Sequence, residues 1–237
     1  MAGIQNTAVI IGATGLVGTA LVQKLLADES FSEIKLLVRK STKINHPKIK
    51  EYIIDFNNTN DYDRYITGDV LFSCLGTTLS TAGSKENQYL VDYTYQYQAA
   101  KSGAENGVKC YILVSSPYAK IDSGNYYRKM KAELEDSISV LDFEKIVILK
   151  PNVLSGERKT PRVGESIAVA IIQTLGRLLP FLKKYRPISG KNVAQAMLNS
   201  FYYSKRNPSR INIFKRIDVE NIGKLSENSN NSFFTIY

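Results

Sequence analysis

The sequence predicts an α/β protein built on a doubly wound parallel sheet. Three observations carry this. An apolar run from Ala8 to Ile11 leads into Gly12, Gly15 and Gly18, behind which Leu16, Ala20, Leu21, Leu25 and Leu26 recur at helical spacing. That pattern is a buried strand, a tight turn and a helix with one apolar face. Further apolar runs then alternate with amphipathic stretches, as expected for parallel strands covered on both faces. Finally, 237 residues, 43% of them hydrophobic, can bury one such core without disulfides or metal.

Taken in order, strands are expected at 8–11, 34–38, 51–54, 70–75, 109–114 and 145–149. Helices are expected at about 16–27, 88–106, 126–141, 167–178 and 191–203. Right-handed crossovers would place a ligand across the carboxyl ends of the strands. From Pro151 the pattern loosens into P-N-V-L-S-G-E-R-K-T-P-R-V-G, with helices to follow. The expected organisation is a single domain over 1–225, with a nucleotide-binding core at 1–150, a small C-terminal substrate and lid region at 151–225, and a polar tail at 226–237.

Composition excludes several classes. There is no apolar run of about 18 residues, so no membrane span is expected. M-A-G-I-Q-N has neither the basic nor the apolar part of a secretory signal. Cys74 and Cys110 lie in apolar runs and read as reduced, buried thiols, which together predict a cytoplasmic protein. The single histidine, His46, sits in an N-H-P turn beside Pro47. A Ser-His-Asp triad and a His/Cys zinc site are both disfavoured, and no metal is expected. The net charge of +9 suits a phosphate-rich ligand, nucleic acid or an anionic membrane surface, or simply marks a solvated basic surface. Its densest groups lie at 39–43, 128–131, 158–162 and 183–186. None is a long block and no nucleic-acid motif accompanies them, so nucleic acid is a disfavoured partner.

The glycine turn has a specific use. A dinucleotide pyrophosphate can sit at the helix N-terminus, where free N–H groups and the macrodipole meet its charge. A side chain at Gly12 or Gly15 would hold the phosphates away, and Gly18 lets the helix approach the strand. The cofactor-binding set expected here is Gly12, Thr14, Gly15, Leu16, Val17 and Gly18. The second strand ends L-L-V-R-K-S, where an acid would select a free ribose 2′-hydroxyl. Arg39 and Lys40 stand there instead, which favours NADP(H) over NAD(H). Asp55 could accept from the adenine amino group or cap a turn. Leu75, Gly76 and Thr77 end the fourth strand, with Gly76 letting the backbone approach the cofactor.

The fifth strand ends I-L-V-S-S, and a helix follows near N-Y-Y-R-K-M-K. Tyr127 and Lys131, four apart, share one helix face. A tyrosine hydroxyl can donate a proton to a carbonyl oxygen, and a nearby ammonium favours the phenolate left behind. Ser116 or Ser115 could hold the substrate oxygen. Tyr97 and Lys101 repeat the spacing but precede the serine-bearing strand, so that pair reads as structural.

The segments G-A-T-G-L-V-G, L-L-V-R-K, F-S-C-L-G-T-T, V-D-Y-T-Y-Q-Y-Q-A-A, I-L-V-S-S, Y-R-K-M-K-A-E-L-E, I-L-K-P-N-V-L-S-G-E-R and V-A-Q-A-M-L extend over roughly residues 5–205. Together they resemble an atypical short-chain dehydrogenase/reductase. Within that superfamily the chain is similar to NAD(P)-binding oxidoreductases related to the HIV Tat-interacting protein. The resemblance implies that Gly12, Gly15 and Gly18 bind pyrophosphate and Arg39 the 2′-phosphate. It implies Ser116, Tyr127 and Lys131 as the catalytic set, with Pro151 and Val153 beside the nicotinamide; the Lys131 ammonium could also reach the nicotinamide ribose.

Two functional readings follow. One is an NADP(H)-dependent oxidoreductase of a small carbonyl or alcohol, for which the intact Tyr127–Lys131 pair speaks. The other is a non-catalytic NAD(P)H sensor or regulatory partner-binding protein on the same fold. The expected partner is a small-molecule substrate, with no membrane, and a homodimer is left open.

Overall fold

The structure, a computed structural model, describes residues 5–155 and 187–224. Its strands are β1 (Asn6–Ile11), β2 (Phe31–Val38), β3 (Ile49–Ile53), β4 (Val70–Ser73), β5 (Cys110–Val114), β6 (Lys145–Lys150), β7 (Leu154–Ser155), β8 (Ile188–Ser189) and β9 (Ile211–Lys215). The described helices are α1 (Leu16–Ala27), α2 (Leu79–Ala82), α3 (Lys85–Tyr89), α4 (Tyr95–Glu105), α5 (Tyr126–Ser139), α6 (Gly190–Arg206) and α7 (Ile217–Lys224). Seven strands form one sheet in the order β3-β2-β1-β4-β5-β6-β9, and β7 pairs with β8 alone. Every pairing in the large sheet is parallel. The winding reverses between β1 and β4, the point at which open α/β sheets bind ligands.

Strand alternation sorts the core into two layers. Ala8, Ile10, Leu36, Phe72, Ile112 and Leu149 pack with Leu21 and Leu25 of α1 and Val193, Met197 and Phe201 of α6. Val9, Ile11, Leu37, Leu71, Leu113 and Ile148 pack with Ala99 and Ala100 of α4 and Leu134 and Ile138 of α5. Apolar positions on both sides of a strand need helices on both sides, and this alternation supplies them.

The doubly wound parallel sheet is as the sequence predicts, with local differences. The helix expected at 88–106 starts three residues earlier, where the Ser84 hydroxyl accepts from the Asn87 N–H at 3.1 Å. Between α3 and α4 it widens into a π-helical turn over Leu90–Thr94, which carries the fully buried Asp92. The fourth strand stops at Ser73 rather than 75, after which the Cys74 N–H still donates to Ile11 C=O at 2.9 Å. The stretch expected as substrate and lid region supplies more of the main body than anticipated. Its α6 covers one sheet face, and β9 extends the sheet beside β6. The I-N-I-F-K of β9 gave little strand signal because an edge strand buries few side chains; only Asn212 is buried. The helix expected at 167–178, the basic groups at 158–162 and 183–186, and the tail at 226–237 lie outside the described residues.

Candidate functional site

The carboxyl ends of the strands gather the expected residues along one edge. After β1 the chain turns at Gly12, whose φ of +83° is left-handed. A Cβ there would lie 2.6 Å from the Cys74 carbonyl carbon, so the turn needs glycine for the chain's own sake. At Gly18 a Cβ would stand 2.1 Å from Gly12 O, so glycine there lets α1 close on the turn. Gly15 differs: its φ is −78° and the nearest atom to an added Cβ is Gly12 O at 3.4 Å. The protein has room for a side chain at Gly15, so its own packing does not require glycine there. α1 starts behind Gly15 with no side-chain cap and no acid in its first turn. Thr14 and Gly15 are exposed, Leu16 half-buried and Val17 buried. This end of α1 meets the requirements of an anion cradle.

Arg39 and Lys40 follow β2 and are both exposed. Asp55, after β3, is held as a turn cap: its Oδ1 accepts from the Asn57 N–H at 3.0 Å and Nδ2 at 2.9 Å. Beyond β4, Leu75 and Thr77 are half-buried and Gly76 is exposed. The Thr77 N–H donates to Asp92 Oδ2 at 2.9 Å, which ties this loop to the π-helical turn.

The end of β5 and the inner face of α5 hold a group of buried charges. Asn125 caps α5, accepting from the Arg128 N–H at 3.1 Å. Tyr127 is 36% exposed, whereas Lys131, one turn on, is only 2% exposed. Lys131 Nζ lies 3.8 Å from Asp92 Oδ1. Desolvation lowers its pKa below the ordinary lysine range, against the opposing pull of Asp92 and Glu135. The basic run at 128–131 is therefore not one exposed helix face.

Ser115 and Ser116, adjacent at a strand end, are separated by their partners. The Ser115 hydroxyl donates to Glu135 Oε1, and Glu135 Oε2 pairs with Lys150 Nζ at 2.5 Å. Ser115 thus belongs to an internal network. Ser116, 7% exposed, makes no side-chain hydrogen bond among the described residues. Past β6, Pro151 is buried and Val153 is 46% exposed. The second Tyr/Lys spacing lies elsewhere: Tyr97 stacks on Tyr93 at 5.9 Å, and exposed Lys101 pairs with Glu105 at 3.8 Å.

Sequence reasoning missed Asp92, Glu135 and Lys150. A signal existed for two of them. Glu135 falls four residues after Lys131 on the stripe that also carries Leu134 and Ile138, and Lys150 follows the apolar run Ile146–Leu149. An acid or base within an apolar period marks a buried pair. Asp92 had no such signal, since the widened turn alone brings it inward. Among the described residues no group of three or more His, Cys, Asp or Glu could hold a metal ion, and no helix is long and apolar enough to cross a membrane.

Residues 12–170 match the model of the NAD(P)H-binding family. The Candida albicans protein FMP52, mitochondrial, is 36% identical over 80% of this chain and 85% of its own length. The Eremothecium gossypii protein of that name is 34% identical over 73% of this chain and 76% of its own. Among solved structures, the Thermus thermophilus UDP-glucose 4-epimerase complex with NAD aligns with a TM-score of 0.64 at 15% identity, covering 91% of this chain and 82% of its own. The Bordetella bronchiseptica enzyme WbmH in complex with NAD+ aligns with a TM-score of 0.65 at 11% identity, over 89% and 75%. At these identities the likeness is one of fold. The relatives' names overturn the expectation of a cytoplasmic location, since they are called mitochondrial. Two unpaired thiols, Cys74 and Cys110, do not by themselves select a compartment. The sequence, the sheet order and the glycine turn agree: the chain belongs to the NAD(P)H-binding family, with the FMP52 proteins as relatives.

Proposed function

We propose that the protein is an NADP(H)-dependent oxidoreductase of the atypical short-chain dehydrogenase type, akin to the Tat-interacting-protein-like group, acting on a small carbonyl or alcohol. The carrying observation is Lys131. A lysine 2% exposed, paired with a buried acid tied to the loop after β4, is costly to retain without a use. In this reading Gly12, Thr14, Gly15, Leu16, Val17 and Gly18 cradle the pyrophosphate. Arg39 and Lys40 grip the 2′-phosphate, Asp55 lies toward the adenine, Leu75, Gly76 and Thr77 flank the cofactor, and Pro151 and Val153 border the nicotinamide. The nicotinamide, when bound, supplies or accepts the hydride.

The chain's own groups handle the proton. Tyr127 donates from its hydroxyl to the substrate oxygen, and Ser116 orients that oxygen by hydrogen bonding. The Lys131 ammonium favours the phenolate left on Tyr127. Asp92 holds Lys131 in place, its Oδ1 3.8 Å from Nζ. A sensor without turnover would have no need of a buried lysine one helical turn after Tyr127.

Isothermal titration with NADPH and NADH tests the cofactor, and NADPH should bind more tightly. NADPH oxidation over a panel of aldehydes, ketones and quinones tests the chemistry. Tyr127→Phe should cut turnover by about two to four orders of magnitude with NADPH affinity nearly unchanged. Equal affinity for the two nucleotides would remove the NADP(H) assignment. Activity undiminished in Tyr127→Phe would remove the mechanism.

A further inference from the structure

Two arginines from distant parts of the chain converge on one tyrosine at the edge just described. Tyr118 follows Ser116 by two residues and is 37% exposed. The Arg128 Cζ lies 4.9 Å from its ring centroid and the Arg216 Cζ 5.0 Å, so the guanidiniums are within about 10 Å of one another. Arg128 comes from the first turn of α5, beside Tyr127. Arg216 follows β9 and is anchored at the end of β6, its N–H donating to Lys150 C=O at 2.9 Å. The intervening loop folds onto α5 through the Lys120 N–H, which donates to Arg128 C=O at 3.2 Å.

Neither guanidinium makes an ion pair or a side-chain hydrogen bond among the described residues. The neighbouring acids are turned elsewhere. Asp122 pairs with Lys120 at 3.0 Å, Glu133 with Lys129 at 4.0 Å, and Asp218 accepts the Lys215 N–H at 3.2 Å. Arg216 also has a φ of +39°, the left-handed region where glycine is the least strained choice. The chain keeps a long cationic side chain at a position that favours glycine or asparagine. One arginine on a tyrosine face is a common cation–π contact. Two on one ring, with no acid paired to either among the described residues, leave a positive potential that an anion would relieve.

We propose that Tyr118, Arg128 and Arg216 form a subsite for an oxyanion group, a carboxylate or a phosphate, carried by the substrate. Guanidinium forks bind either group bidentately. The proposal rests on the oxidoreductase reading for the place of the carbonyl, beside Ser116 and Tyr127. Tyr118 follows Ser116 by two residues and Arg128 follows Tyr127 directly, which places the subsite next to the proposed carbonyl position in the chain.

The test is calorimetric and needs no turnover. Acetophenone, 4-acetylbenzoate and 4-acetylphenyl phosphate are titrated into the protein saturated with NADP+, and again with NAD+. A ketone with an oxidised nucleotide cannot react, so only binding is read. At least one anionic ketone should bind about 10-fold or more tightly than acetophenone, and the stronger of the two identifies the oxyanion. Arg128→Gln and Arg216→Asn should each remove most of that preference and leave acetophenone and nucleotide affinity unchanged. Asparagine tolerates the left-handed backbone, and Arg128→Gln alone carries the test if Arg216→Asn does not fold. Equal binding of the three ketones would overturn the proposal. So would a preference that survives both substitutions while the melting temperature drops, for the arginines would then only clamp the loop. If NADPH is not consumed with any ketone, the oxidoreductase reading suffers while the anion preference is still measured, so the two fail separately.

Discussion

The turn after β1 and the inner face of α5 meet at the same sheet edge, yet they are made of different materials. The turn is backbone throughout: three glycines, an uncapped helix end and no charged side chain. The α5 face is side chain throughout: Lys131 with Asp92, and Lys150 with Glu135 and Ser115, all nearly closed to solvent. A backbone cradle demands shape and fails when a Cβ is added. A set of buried charges demands partners and fails when one is removed. The first tolerates changes in charge around it, and the second tolerates almost none.

Removing a partner from the charged face should have the largest effect. Glu135→Leu leaves Lys150 buried without its acid and Ser115 without its acceptor, and should cost about 3–5 kcal/mol of stability. Urea unfolding at neutral pH measures this, and a loss below about 1 kcal/mol would mean that the pair is solvated in solution.

The glycines split next. Gly18→Ala, forced against Gly12 O, should destabilise by about 2–3 kcal/mol. Gly15→Ala should stay within about 0.5 kcal/mol of the parent yet lose at least about 10-fold in NADPH affinity. If Gly15→Ala unfolds the protein instead, the turn needs all three glycines for itself and the contrast with Gly12 and Gly18 dissolves.

Arg39→Ala probes an exposed charge beside the cradle. It should remove about 1–3 kcal/mol of the preference for NADPH over NADH, with no change in unfolding. A preference that persists in the titration would move the 2′-phosphate contact to another residue.

The smallest effect is one of pH. Lys131 has its pKa lowered from 10.5 by desolvation. Between that lowered value and 10.5 the unfolded chain holds more protons than the folded one, so this group adds stability as pH rises. Relative to Lys131→Met, the parent should therefore gain stability toward pH 10.5. A difference that stays flat across that range would mean that Asp92 and Glu135 offset the desolvation fully.

Much of the edge was legible from local pattern. The glycine spacing and the apolar period after it specified β1, the turn and α1, because strand, turn and helix are each set by neighbours a few residues apart. The order of Ser116, Tyr127 and Lys131 was legible for the same reason. The different partners of the two serines were not, since Glu135 reaches Ser115 only through the packing of α5 on β5 and β6. β9 was also hidden, because a strand at a sheet edge carries little apolar signal of its own.

The sequence by itself determined the alternating architecture, the glycine turn and the residue types available for proton transfer. These depend on short-range periodicity and on side-chain chemistry, both written directly in the chain. Only the tertiary structure decided that Gly12 and Gly18 are required by the fold while Gly15 is not, and that Lys131 is buried against Asp92. It alone brought Arg128 and Arg216 to one tyrosine. Each of these depends on atoms far apart in sequence being pressed together at the end of a sheet. Such proximity follows from how strands and helices pack as a whole, which no local pattern encodes.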